Sequence, residues 1–64
     1  MKNNLRILLA KQKKTIADIH EGTRLSKSTL TAFYYERTKP NGETLLKIAD
    51  YLGVTLDELV RVNQ

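Results

Sequence analysis

Residues 25–59 read LSKSTLTAFYYERTKPNGETLLKIADYLGVTLDEL, and the punctuation of this stretch decides the fold. Ser26 stands directly before a run that carries Leu30 and Phe33 three apart. That predicts an N-cap followed by a helix from Lys27 to about Tyr35. Threonine is a mediocre helix former, so this helix must be held by packing through Leu30 and Phe33. The segment ERTKPNG then breaks the pattern, because Pro40 disfavours helix at Lys39 and Asn41-Gly42 is a turn dipeptide. Glu43, Thr44, Leu45, Leu46, Ile48, Ala49 and Leu52 form the next helix, with Gly53 as its left-handed cap. Thr55-Leu56-Asp57-Glu58 has the form of a capping box, which predicts a last helix from Leu56 to about Val62.

Toward the N-terminus, Leu5, Leu8, Leu9 and Gln12 repeat at helical spacing and predict a helix over 3–12. KQKK interrupts it. Thr15 can cap a second helix, with Asp18 at the third position in place of the usual Glu. Its inward face is expected to be Ile16, Ile19, His20 and Thr23, and Gly22 and Thr23 weaken it, so the end is expected near Glu21 or Gly22. No segment alternates with period two long enough for a strand. The expectation is an all-α chain, a compact five-helix bundle filling one domain over 1–64.

Composition removes several function classes. A chain of 64 residues buries only roughly 60% of its unfolded surface, so its core is small. It has no cysteine and one histidine, which excludes a disulfide, a thiolate cluster and a zinc set of about four ligands. No cofactor or metal is expected. There is no glycine-rich phosphate loop and no Ser-His-Asp arrangement, so an enzyme is not expected. The longest purely apolar run, Ile7 to Ala10, is far below the roughly 20 residues that cross a bilayer. The start lacks the form of a signal peptide. No membrane association and no small-molecule ligand are expected, and a cysteine-free chain is compatible with the reducing cytoplasm. Only Arg61 to Gln64 follow the last helical pattern, so no effector domain is expected.

The formal net charge is +4, and it is unevenly spread. Residues 1–40 hold nine cations and three anions, giving +6, while residues 41–64 hold two cations and four anions, giving −2. The first part suits a polyanion. The third helix fits that reading in detail. A major groove about 12 Å wide accepts one helix, which must offer hydrogen-bonding groups from its first turns. Lys27, Ser28 and Thr31 fall on the outward side, and Ala32 is smooth enough to meet a thymine methyl. Tyr35, Arg37, Thr38 and Lys39 follow where backbone phosphates would run.

Residues 25–59 are similar to the second half of a helix-turn-helix domain of the Cro/phage-repressor type. In that family a Ser-capped recognition helix leads through a basic, proline-containing loop to ETLLKIA, LGV and a last TLDEL helix. The resemblance covers nearly the whole chain without a gap and is most specific over 25–59. It implies a lambda-repressor-like five-helix fold whose second and third helices form the DNA-reading unit. Carried over by position, base contacts fall on Lys27, Ser28 and Ala32, with Thr31 as a neighbour. Phosphate contacts fall near Tyr35, Arg37 and Lys39, with Thr15 at the start of helix two as a further anchor.

Four departures mark the first half. Where the family has a phosphate-binding Gln at the start of helix two, this chain has Ile16. Where it has a small residue at the crossing of helices two and three, this chain has His20. There the helices must separate or the ring must turn outward. Where it often has a turn glycine, this chain has Arg24, at a cost of around 1 kcal/mol if the left-handed backbone is kept; Arg24 could also reach a phosphate. The fourth departure is paired. Many members join an Arg of helix one to a Glu late in helix three, and these positions are Leu9 and Tyr34 here. Loss of both partners to packing groups is often neutral, whereas loss of one is costly.

Two classes of function follow. The first is a sequence-specific DNA-binding regulator, a small Cro-like repressor acting as a dimer on a palindromic operator, with double-stranded DNA and a second copy as partners. Tyr51, Leu56, Val60 and Val62 are the expected dimer surface, being more apolar than a small core requires. The alternative is a protein-binding adaptor or antitoxin-like partner that reuses the bundle, since fold does not dictate function. The basic first part and Lys27, Ser28, Arg37 and Lys39 favour DNA.

Overall fold

The computed structural model describes residues 3–61. Five helices follow one another: α1 (Leu5–Gln12), α2 (Ile16–Thr23), α3 (Lys27–Tyr34), α4 (Gly42–Leu52) and α5 (Leu56–Val60). The chain is all-α, as the capping signals require, and the caps expected at Thr15, Ser26 and Thr55 are in place. Thr15 and Thr55 each close a reciprocal capping box, with Asp18 and Glu58 respectively, while Ser26 and Asn41 accept from the backbone N–H groups of Thr29 and Thr44. Each satisfies a donor that a helix start leaves unpaired.

Four boundaries differ from the expectation. α4 starts at Gly42, with Asn41 as its N-cap where a turn was expected. α1 starts at Leu5, because Asn3 and Asn4 are used to dock the chain. The Leu5 N–H donates to Asn3 Oδ1 (2.8 Å), and Asn3 Nδ2 donates to the carbonyl of Phe33 in α3 (2.8 Å). Asn4 is itself buried and bonds the carbonyls of Glu58 and Leu59 in α5. α2 continues through Gly22 to Thr23, whose hydroxyl donates back to the Ile19 carbonyl (2.7 Å) and holds the last turn. α5 stops at Val60, since Arg61 is already extended; Val62 lies outside the described residues.

α1, α2 and α4 end in a left-handed residue, at Lys13, Arg24 and Gly53, and the chain leaves α3 through another at Glu36; only Gly53 is a glycine. After α1, α3 and α4 two backbone bonds reach back in the Schellman pattern; after α3 the Arg37 N–H bonds Ala32 O (2.8 Å) and the Glu36 N–H bonds Phe33 O (3.0 Å). A non-glycine residue there costs about 1 kcal/mol, which the carbonyls so satisfied offset in part.

The core draws on every helix. Leu5 of α1, Ile19 of α2, Leu30 and Phe33 of α3, Ile48 of α4 and Leu59 of α5 are fully buried together. α2 packs on both α3 and α4. Its approach to α4 depends on Gly22, where a Cβ would overlap the ring of Tyr51. Glycine here serves close packing and not an unusual backbone. The result is an α3 rooted by two buried side chains and free on its other side.

Candidate nucleic-acid interface

Leu30 and Phe33 turn α3 inward, so the rest of its sequence is sorted by helical geometry. Ser28, Thr31, Ala32 and Tyr35 follow the i, i+3, i+4, i+7 spacing of a single face. Lys27, Ser28, Thr31 and Tyr35 are exposed and Ala32 is half-buried. Eight helical residues span about 12 Å at 1.5 Å per residue, with small hydroxyls leading and no carboxylate among them. The groups proposed to face bases are therefore brought together. The Schellman end of α3 then sends Arg37, Thr38 and Lys39 out along an exposed loop. The Arg37 guanidinium lies 5.7 Å from the Tyr35 ring, a cation–π arrangement at the C-terminal end of α3.

The turn before α3 is tightly tied. Arg24 keeps the left-handed conformation at φ 64°, with its N–H donating to the His20 carbonyl, and its side chain is exposed. Thr23 Oγ1 accepts from the Leu25 N–H (3.2 Å). His20 answers the steric question raised by its position. Its half-buried ring turns toward the turn, and Nδ1 donates to the Leu25 carbonyl at 2.6 Å. The ring also lines a surface hollow with Glu21 and Arg24. His20 thus fixes the angle at which α3 leaves α2.

The start of α2 is more occupied than the sequence suggested. Thr15 is exposed, but its hydroxyl accepts from Asp18 N–H (3.2 Å) and its own N–H donates to the Asp18 carboxylate (2.9 Å). Two amide donors are engaged, one of them by the hydroxyl oxygen as acceptor, and a negative charge sits at the helix start. Ile16 is half-buried against the core. Of the residues expected to meet phosphates, Thr15 has the least free hydrogen-bonding capacity.

Charge is distributed to match. Both ion pairs among the described residues lie in the last two helical segments, Glu43–Lys47 (3.8 Å) and Asp57–Arg61 (2.8 Å). Asp57 raises the Arg61 pKa, chiefly through its hydrogen bond and also by its charge. Arg6, Lys11, Lys13, Lys14, Arg24, Lys27, Arg37 and Lys39 face no such partner among the described residues. Their field is available to an external anion.

Of the expected dimer residues, Tyr51, Leu56 and Val60 are among the described ones. The Tyr51 ring is half-buried, seated on Gly22 and under the Lys14 ammonium at 4.4 Å from its centroid. Val60 is half-buried against the core. Leu56 is 37% exposed and lines an open groove between α4 and α5 with Leu46, Ala49 and Val54. Leu46, 57% exposed, is the residue sequence reasoning missed. Leu45 and Leu46 are adjacent, and the pattern alone did not show which one faces out. Arg6 and Tyr34 were likewise not assigned to the site, although both line a hollow with Thr31 and Tyr35.

Among the described residues no helix is long and apolar enough to cross a membrane, and no group of three or more His, Cys, Asp or Glu side chains could hold a metal ion. The sequence model of the family described as "Cro/C1-type HTH DNA-binding domain" matches residues 4–64. Among curated proteins, none matches the chain significantly.

Proposed function

The chain belongs to the Cro/C1-type helix-turn-helix DNA-binding family, and on that premise we propose that it is a sequence-specific transcriptional regulator, a small repressor that acts as a dimer on a palindromic operator. The observation that carries this reading is the exposed face of α3. Lys27, Ser28 and Thr31 stand out together, with Ala32 at their centre and Leu30 and Phe33 rooting the helix. In the proposed complex α3 lies in the major groove. Ser28 and Thr31 meet base edges, and Lys27 donates to guanine or a neighbouring acceptor. Arg24, Tyr35, Arg37, Thr38 and Lys39, with Thr15 as a lesser contributor, hold the phosphates on either side. Repression follows from occupancy of the operator, and the place of action on this reading is the cytoplasm.

Substitution separates the two kinds of contact. Lys27→Ala and Ser28→Ala are expected to change which bases are preferred, since a good specific contact is worth about 1–3 kcal/mol. Lys39→Ala is expected to weaken all duplexes alike and to lower the salt slope by about one. Fluorescence anisotropy on a panel of single-base operator variants measures both. Three variants that bind and discriminate like the parent would remove α3 from the groove.

Dimerisation is supported by the apolar groove between α4 and α5, where the exposed Leu46 and Leu56 lie side by side with Ala49 and Val54. Leu46→Lys is expected to lower the mass found by equilibrium sedimentation and to weaken operator binding, with the helical signal intact. The same groove is the observation that favours the adaptor reading, in which another protein fills it. A parent monomeric both free and on DNA would leave the groove to such a partner.

A further inference from the structure

We infer that Arg6, held on the ring of Tyr34, grips a backbone phosphodiester of double-stranded DNA beside α3, taking over a contact that the start of α2 is poorly equipped to make. This rests on the reading of α3 as the groove helix and adds to it a contact from α1. A cavity of about 440 Å³ opens between α1, the start of α2 and α3. Thr15, Thr31 and Tyr35, all among the proposed DNA contacts, line it together with Arg6, Lys14 and Tyr34. The packing of α1 on α3 therefore brings a cation of the first helix to the edge of the DNA surface.

Its geometry suits a phosphate. The Arg6 guanidinium lies 5.6 Å from the centroid of the Tyr34 ring. Tyr34 and Tyr35 meet edge to face with centroids 5.0 Å apart, and Arg37 lies 5.7 Å from the Tyr35 ring. Two guanidinium groups thus bracket two rings at the flank of α3. A guanidinium resting on an aromatic ring keeps its N–H edge for a second partner, and its planar fork matches phosphate oxygens. Side chains already ordered lose less freedom on binding. Arg6 is exposed and has no carboxylate partner among the described residues.

The neighbouring alternatives are weaker. At the start of α2 the capping box has placed the Asp18 carboxylate against Thr15. The Lys14 ammonium is drawn to Tyr51. Of the two cations on the cavity wall, Arg6 rests on a ring that itself lines the cavity, whereas Lys14 rests on Tyr51, which does not.

The test is the salt dependence of binding to a selected operator duplex and to a random duplex, for the parent, Arg6→Gln, Arg6→Lys and Lys39→Ala. Arg6→Gln is expected to lower the slope by about 0.9 on both duplexes, which is about eightfold in affinity at 0.1 M salt against a 1 M reference. Arg6→Lys is expected to keep the slope while losing several-fold in affinity, because an ammonium lacks the fork. A thermal melt of each variant reads any packing role, which would move stability and leave the slope alone. An unchanged slope in Arg6→Gln beside a lowered slope in Lys39→Ala would overturn this inference and leave the DNA-binding reading standing. A parent with no salt-dependent affinity for either duplex would overturn both.

Discussion

Phe33→Ala is expected to remove a large part of the protein's stability at 25 °C. Phe33 is fully buried on the inner side of α3, in a core to which all five helices contribute. Truncating such a ring costs about 3–5 kcal/mol in lost transfer energy and cavity. At roughly 0.05–0.15 kcal/mol per residue, the whole stability of 64 residues is only about 3–10 kcal/mol. Urea denaturation followed by circular dichroism would show a large fall in midpoint or no cooperative transition. The effect reaches function through structure, because without Phe33 the outward face of α3 has no fixed orientation. Ser28→Ala makes the contrast. It is expected to alter base preference with almost no change in midpoint, since Ser28 is exposed. A loss below about 1 kcal/mol for Phe33→Ala would mean that α3 is not rooted where the core places it.

Leu9→Arg is the second large effect. Leu9 is 4% exposed and shares a cavity wall with Tyr34. A guanidinium placed there finds no carboxylate, and an uncompensated buried charge costs on the order of 3–5 kcal/mol. Tyr34→Glu alone is expected to cost much less, because Tyr34 is half-buried and Arg6 already lies over its ring and could meet the new carboxylate. The double variant Leu9→Arg with Tyr34→Glu should regain much of the loss by forming a new ion pair. A denaturation double-mutant cycle measures the coupling. Additive losses, within about 0.5 kcal/mol, would mean that the two positions do not meet across α1 and α3.

What the sequence made legible was local. Ser26, Thr55 and the Thr15–Asp18 pair announce helix starts because a cap bonds a backbone group only a few residues away, whereas Asn41, read as part of a turn, proves to be a cap as well. The outward face of α3 was legible for the same reason, since helical spacing sorts Ser28, Thr31 and Tyr35 from Leu30 and Phe33. The start of α1 was not, because Asn3 and Asn4 bond α3 and α5, 30 and 54 residues along the chain. The left-handed ends at Lys13 and Glu36 carry no glycine to mark them. Leu46 and Arg6 were missed because their importance depends on which side of a helix a distant neighbour leaves bare. Tyr51 illustrates the converse: an apolar residue expected to face a second copy has its ring seated on Gly22, a contact no periodicity reveals.

On the proposed reading, α3 reads bases from its exposed face. Selection of bound duplexes from a random pool, run in parallel with the parent and with the Lys27→Ala, Ser28→Ala double variant, is the decisive test. The parent is expected to enrich a palindromic motif with half-sites about one helical turn apart, and the double variant to enrich a different or degenerate motif while keeping its salt-dependent affinity. Enrichment of the same motif by both proteins, or of none by the parent, would contradict it.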